Sequence, residues 1–292
     1  MGRVTHYDTV QMLTYLHSYR ENVAKYYVTV TAGQTHTINL LGIAAGKSAV
    51  VSWGDGLSNE YTGKATRTHV YASAGTYEVK IYTPENVTEF AATSNISSLN
   101  TADFAGMINM KTFELVTTSN VTFDTTVLPD WTLNKLTLNN VTVAGVIRSE
   151  DMTKWGITQL YFGSILGGVT GSIETACFAS NNMSIMVNLS NPIPSVVSEN
   201  SIRNWPKLNT LSFNHMTTQD VDLILLEAYQ INRTVTGGKI DLLYHNAAPS
   251  GTFQAATSCP VTSATPGREI AYELLNDTCG KGFNKWATVS IK

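Results

Sequence analysis

Six short apolar-x-apolar triplets recur along the second two thirds of the chain: Phe113-Glu114-Leu115, Leu136-Thr137-Leu138, Leu160-Tyr161-Phe162, Val187-Asn188-Leu189, Leu211-Ser212-Phe213 and Ile240-Asp241-Leu242. Their first positions lie 23, 24, 27, 24 and 29 residues apart. A chain that returns one short strand at so regular an interval stacks its repeats on their neighbours, because a single repeat cannot bury its own apolar face. Successive strand residues point to opposite faces. The flanking apolar residues are therefore expected in the core, and Leu138, Phe162, Leu189, Phe213 and Leu242 in one column. The middle residues Glu114, Thr137, Tyr161, Asn188, Ser212 and Asp241 then form an outward row, polar with one aromatic. Such a row can hydrogen-bond and stack on a sugar or meet a protein surface, and it is the candidate binding face. Asn or Ser follows most of the triplets, at Asn139-Asn140, Ser190-Asn191, Asn214 and Asn246. There an amide side chain can satisfy backbone groups as the chain turns away.

Ahead of the recurrence the pattern is different. Tyr27–Val30, Thr35–Leu40, Ala49–Trp53 and Tyr77–Tyr82 are short, rich in β-branched and aromatic residues, and separated by Gly-containing turns, as in an all-β sandwich. Val51-Ser52-Trp53-Gly54-Asp55-Gly56, then His69-Val70-Tyr71, then Gly75-Thr76-Tyr77-Glu78-Val79 resembles the PKD domain signature, in order and within about thirty residues. The resemblance covers residues 26 to 88 and implies an immunoglobulin-like sandwich. PKD-like domains are generally spacers and adhesion modules, so no catalytic residue carries over. Only the extra residues often found between the Trp and the Gly-Asp-Gly are missing. Asp55 is read as a turn residue that bonds backbone amides, and His69 as a hydrogen-bonding core or edge residue. The recurrent segment in turn resembles the irregular leucine-rich repeats of gut-bacterial surface proteins and their phages.

The two ends read as helix and cap. Asp8 with Gln11 can form a capping box, and Met12, Leu16, Tyr19, Val23 and Tyr26 follow at heptad steps. That stripe predicts a helix over 1–25 which docks on the chain's own sandwich, on a partner or on a second copy. Thr218 to Gln230 is the clearest helix, with Val221, Ile224, Leu225 and Ala228 on one face and Thr218 or Asp220 as cap. A helix near Pro266–Leu275 and a strand over Trp286–Ile291 are expected to close the last repeat. The organisation is then an N-terminal helix (1–25), a PKD-like β-sandwich (26–90) and an LRR-like solenoid with a C-terminal cap (95–292), mainly β throughout.

Composition narrows the function. Only 14% of the 292 residues are charged, against the usual quarter, while Thr numbers 39 and Asn 23. The net charge of -3 gives no electrostatic case for nucleic acid. No apolar run reaches the roughly 18 residues that span a membrane, and the N-terminus lacks the apolar region of a secretory signal. Three cysteines, Cys177, Cys259 and Cys279, argue against a disulfide framework and leave a Cys259–Cys279 pair open. None of the six histidines sits at zinc spacing; His215 and His245 follow equivalent strands and read as polar ladder positions before a shared metal site. No nucleophile elbow or phosphate loop occurs, and the acids Glu150, Asp151, Asp220 and Asp222 each fall at a plausible cap or turn. The expectation is a protein without enzymatic activity or cofactor. It is foremost a bacteriophage virion component, made in the host cytoplasm, whose partners are other virion proteins or a host-surface glycan or protein. Self-association is left open, and a bacterial cell-surface adhesin is the alternative.

Overall fold

The computed structural model describes residues 22–93, 95–124, 131–147, 154–163, 170–173, 184–188, 202, 205–214, 216–243, 245–281 and 286–292. The fold is mainly β. Eight strands come first: β1 (Val23–Val30), β2 (Thr35–Ile43), β3 (Ala49–Ser52), β4 (Ser58–Tyr61), β5 (Lys64–Val70), β6 (Gly75–Tyr82), β7 (Val87–Ala92) and β8 (Ile96–Ser98). They form two facing layers, β4-β3-β6-β1-β8 and β5-β2-β7. Period-two alternation drives the packing. In β1, Ala24, Tyr26, Val28 and Val30 are buried, and they meet Ile38, Leu41 and Phe90 of the other layer in one core. The Tyr26 and Phe90 rings lie 5.7 Å apart, edge to face. Gly54 has φ +85, and a Cβ there would stand 2.7 Å from the Glu78 carbonyl oxygen, so the turn after Trp53 admits only glycine.

β7 has two kinds of neighbour. It pairs antiparallel with β2 on one edge and parallel with β9 (Thr112–Asp124) on the other. The sandwich layer thus continues without a break into a parallel stack of β10 (Lys135–Ile147), β11 (Gln159–Phe162), β13 (Ile185–Asn188), β14 (Thr210–Phe213), β15 (Lys239–Asp241) and β16 (Thr288–Ser290). Phe90, Phe113, Leu136, Leu160, Met186, Leu211, Ile240 and Val289 stand in register along it. Most steps between coils are fixed by a forked hydrogen bond. The N–H groups of Thr158 and Gln159 both reach the Asn134 carbonyl (3.1 and 3.0 Å), and those of Asn209 and Thr210 both reach Ser184 (2.8 and 3.2 Å). The hydroxyls of Thr158 and Ser184 donate to the preceding coil as well. This is where part of the Thr and Asn excess is used. β9 and β10 pass a bulge between Asn139 and Val141 and run on as a second parallel ladder, joined by β12 (Thr170–Ile173).

All five tryptophans are buried, and Trp131, Trp155 and Trp205 occupy matching places just ahead of β10, β11 and β14. The last coils carry α1 (Thr218–Gln230) and α2 (Gly267–Asn276), which pack on each other. A Cys259–Cys279 disulfide ties the segment before α2 to the one after it.

Several expectations are corrected by this arrangement. Val23 opens β1 beside Tyr82 and Tyr26 lies in the sandwich core, so the heptad stripe does not continue through them; Met12, Leu16 and Tyr19 lie outside the described residues. The division at 90–95 falls inside the sandwich, because β8 returns to pair with β1 and β7 serves both halves. Tyr77 is half-buried, and Tyr71 is the fully buried tyrosine of that end. α1 is capped by Thr217, whose hydroxyl and the Asp220 carboxylate form the reciprocal capping box. Glu227, which is not one of the four residues of that helix's apolar face, is buried as well.

Candidate functional site

The outward face of the parallel sheet gathers most of the residues expected to bind. Ala91, Glu114, Thr137, Tyr161, Val187, Ser212, Asp241 and Ser290 stand in register, one from each strand from β7 to β16. Five of the six expected residues are in this row. Asn188 is not: the register places it beside Phe162 and Phe213, and Val187 is the residue beside Tyr161 and Ser212. The triplet pattern fits Val187-Asn188-Leu189 as well as it fits the observed phase, and a one-residue slip exchanges the two faces. A longer pattern resolves the phase. Leu133, Ile157 and Leu208 each precede Leu136, Leu160 and Leu211 by three residues, and Met183 stands likewise before Met186. Leu189 and the structure around Met183 lie outside the described residues.

A second outward row was missed because only the middle of each triplet was counted. Glu89, Thr112, Lys135, Gln159, Ile185, Thr210, Lys239 and Thr288 run alongside, two residues earlier in each strand. Period-two alternation carried one strand position further would have found it. The two rows cancel each other's charge. Lys135 Nζ is 2.9 Å from Glu114 Oε1 and 5.3 Å from the centre of the Tyr161 ring, and Lys239 Nζ is 2.8 Å from Asp241 Oδ2. Between these ion pairs, β11, β13 and β14 place Gln159, Tyr161, Ile185, Thr210 and Ser212 on the face, a stretch without ionised groups. Amide, hydroxyl and one cation-backed aromatic ring can hydrogen-bond and stack there without desolvating a free charge.

The three linked sandwich motifs converge on one aromatic cluster. The His69 ring stacks on Trp53 (5.0 Å, 6°) and meets Tyr71 edge-on at 4.7 Å, and Tyr71 stacks on Tyr77 at 4.4 Å. Trp53 donates its indole N–H to Asn59 Oδ1, and Tyr71 donates its hydroxyl to the Trp53 carbonyl. His69 donates to Asp55 Oδ2 at 2.7 Å, while Asp55 Oδ1 accepts the Leu57 amide. Burial would push the Asp55 carboxyl up, but the bonds from His69 and Leu57 outweigh it and hold the pKa below its ordinary value. The bonds made by His69, Leu57 and Tyr71 hold the turn that follows Trp53.

His245 is exposed with a left-handed backbone, and His215 lies outside the described residues. Among the described residues, no group of three or more His, Cys, Asp or Glu could hold a metal ion, and no helix is long and apolar enough to cross a membrane. Compared with known protein families, with curated proteins and with solved structures, the chain matches none.

Proposed function

We propose that this chain is a non-enzymatic structural and binding protein. In this reading a PKD-like sandwich leads into an LRR-like solenoid, and the outward sheet face holds a neutral partner, a host-surface glycan or a protein surface. The observation that carries it is the neutral stretch around Tyr161, bounded at both ends by ion pairs that are already satisfied. A charged ligand finds no unpaired counter-charge there; a hydroxyl-rich one finds donors, acceptors and a ring. Among the settings for such a face, a bacteriophage virion component engaged in assembly or host attachment fits the scarcity of charge and the abundance of Thr and Asn. The test is adsorption of the purified chain to host cells, or its binding on a glycan array. Tyr161→Ala should weaken binding by at least about tenfold while the fold is kept, and raising salt should change it little. Unchanged binding by the folded variant would reject the sheet face.

One observation favours the second reading, a bacterial cell-surface adhesin or glycan-binding protein. The Cys259–Cys279 disulfide belongs to an oxidising setting, as an exported protein would meet. Mass spectrometry of purified virions separates the two, since only the first reading places the chain in the particle.

A further inference from the structure

Away from the sheet face, α1 and the segment leading into α2 enclose a cleft of about 570 Å³. We propose that this cleft is a second binding site, for a neutral, hydroxyl-bearing ligand of mono- or disaccharide size. The size falls within the roughly 300–1,000 Å³ of small-ligand pockets. Its floor is aliphatic: Leu226 and Ile270 are buried and Leu223 half-buried, a surface for the C–H face of a sugar ring.

The polar rim decides the ligand class. Among the described lining residues Asp222 is the one ionised group and none is a cation, so an anionic ligand is disfavoured. Its charge is already partly balanced. Oδ1 accepts the Ser250 amide at 3.0 Å and lies against Gly267, the first residue of α2, where a helix favours negative charge. That leaves its other oxygen as a strong acceptor for a neutral donor. The neighbours offer both senses of hydrogen bond. Thr265 Oγ1 accepts the Thr262 amide, which frees its proton to donate, and Thr218 spends its proton on the Ala248 carbonyl, which leaves its oxygen to accept. Ser263 and Gln219 are exposed at the mouth and can do either. A mixed set of donors and acceptors over an aliphatic floor is the complement of hydroxyl groups on a carbon ring. The wall that carries Ser263 and Thr265 is set by the Thr262–Thr265 turn and by the disulfide at Cys259 just before it.

The test uses the whole oxidised chain and saturation-transfer NMR with D-glucose, D-galactose, N-acetyl-D-glucosamine and lactose, with D-glucuronate as the anionic control. At least one neutral sugar should receive saturation, and glucuronate should bind about tenfold more weakly than glucose or not at all. Ser263→Phe fills the mouth from an exposed position and, combined with Tyr161→Ala so that the sheet face contributes nothing, should abolish the transfer with an unchanged circular dichroism spectrum; Gln219→Ala, also exposed, should weaken it in the same background. Tyr161→Ala should leave it intact, which separates this site from the sheet face. Transfer to none of the neutral sugars, transfer that survives Ser263→Phe together with Tyr161→Ala in a folded protein, or transfer lost with Tyr161→Ala alone would each overturn the proposal.

Discussion

Asn246 is only 2% exposed and spends its whole amide on the backbone. Its Nδ2 donates to the Phe213 and Leu242 carbonyls at 2.7 and 2.9 Å, and its Oδ1 accepts the Met216 amide at 2.9 Å. One side chain thus closes two successive coils where they leave the sheet. An apolar residue of similar size would strand three buried backbone groups, each costing about 1–3 kcal/mol when left unpaired. Asn246→Leu is therefore expected to destabilise the chain by more than about 2 kcal/mol in urea unfolding, and a neutral effect would mean that water reaches those groups. Trp53 makes the opposite kind of contribution, through volume. It is fully buried and touches His36 and His69, so Trp53→Ala should cost about 3–5 kcal/mol in the same measurement.

At the scale of elements, α2 shows how a loop without regular structure is held. Glu269 and Glu273 stand one turn apart and grip the segments on both sides of the helix: Glu269 accepts from Thr257 and Gln254 before it, and Glu273 accepts from the Ala256 amide before it and from the Cys279 amide and the Thr278 hydroxyl after it. Burial would raise the Glu273 pKa, yet the bonds from Thr278, Ala256 and Cys279 outweigh it and set the pKa below its ordinary value. A carboxyl lowered in the folded state adds stability that is fully present above its unfolded pKa and is lost as pH falls through the folded one. Stability should therefore drop as the solution is acidified below the ordinary glutamate range, and Glu273→Gln should flatten that part of the profile. Reducing the disulfide, which closes a separation of 20 residues, should cost about a further 3 kcal/mol in urea melts at neutral pH. Elements of this kind were only partly legible in the sequence. α1 was readable because its apolar face has a 3.6-residue period, and the triplets were readable because a strand period of two survives in short windows. The phase of β13 was not, since three apolar residues in a row satisfy either register. Nor was the fate of Val23 and Tyr26: three residues apart they fall on opposite faces of β1, Tyr26 buried and Val23 half-buried, and the end of an apolar heptad stripe contains no mark of where a strand takes over. The grip of Glu269 and Glu273 depends on a loop 12 to 17 residues upstream folding back over the helix, and helical periodicity contains no record of it.

Over the whole molecule, the sandwich and the parallel stack share both a strand and a core. The buried cluster runs from Ala24 to Trp286, and β7, third from the β5 edge, belongs to one sheet that reaches from β5 to β16. A single calorimetric transition is expected, with calorimetric and van't Hoff enthalpies in agreement; two resolved transitions would show that β7 couples the halves weakly. The sandwich acts as the cover of the first coil, and α2 with β16 as the cover of the last, so neither end of the stack faces water with an apolar layer. The in-register sheet also makes the molecule mechanically anisotropic. Tension applied between its two ends, across the strands, loads one ladder of hydrogen bonds at a time and peels the coils like a zipper. Tension along the strands loads the bonds of a ladder together, in shear. A tether attached at the sandwich would therefore yield in small successive steps under the first geometry and hold as a block under the second.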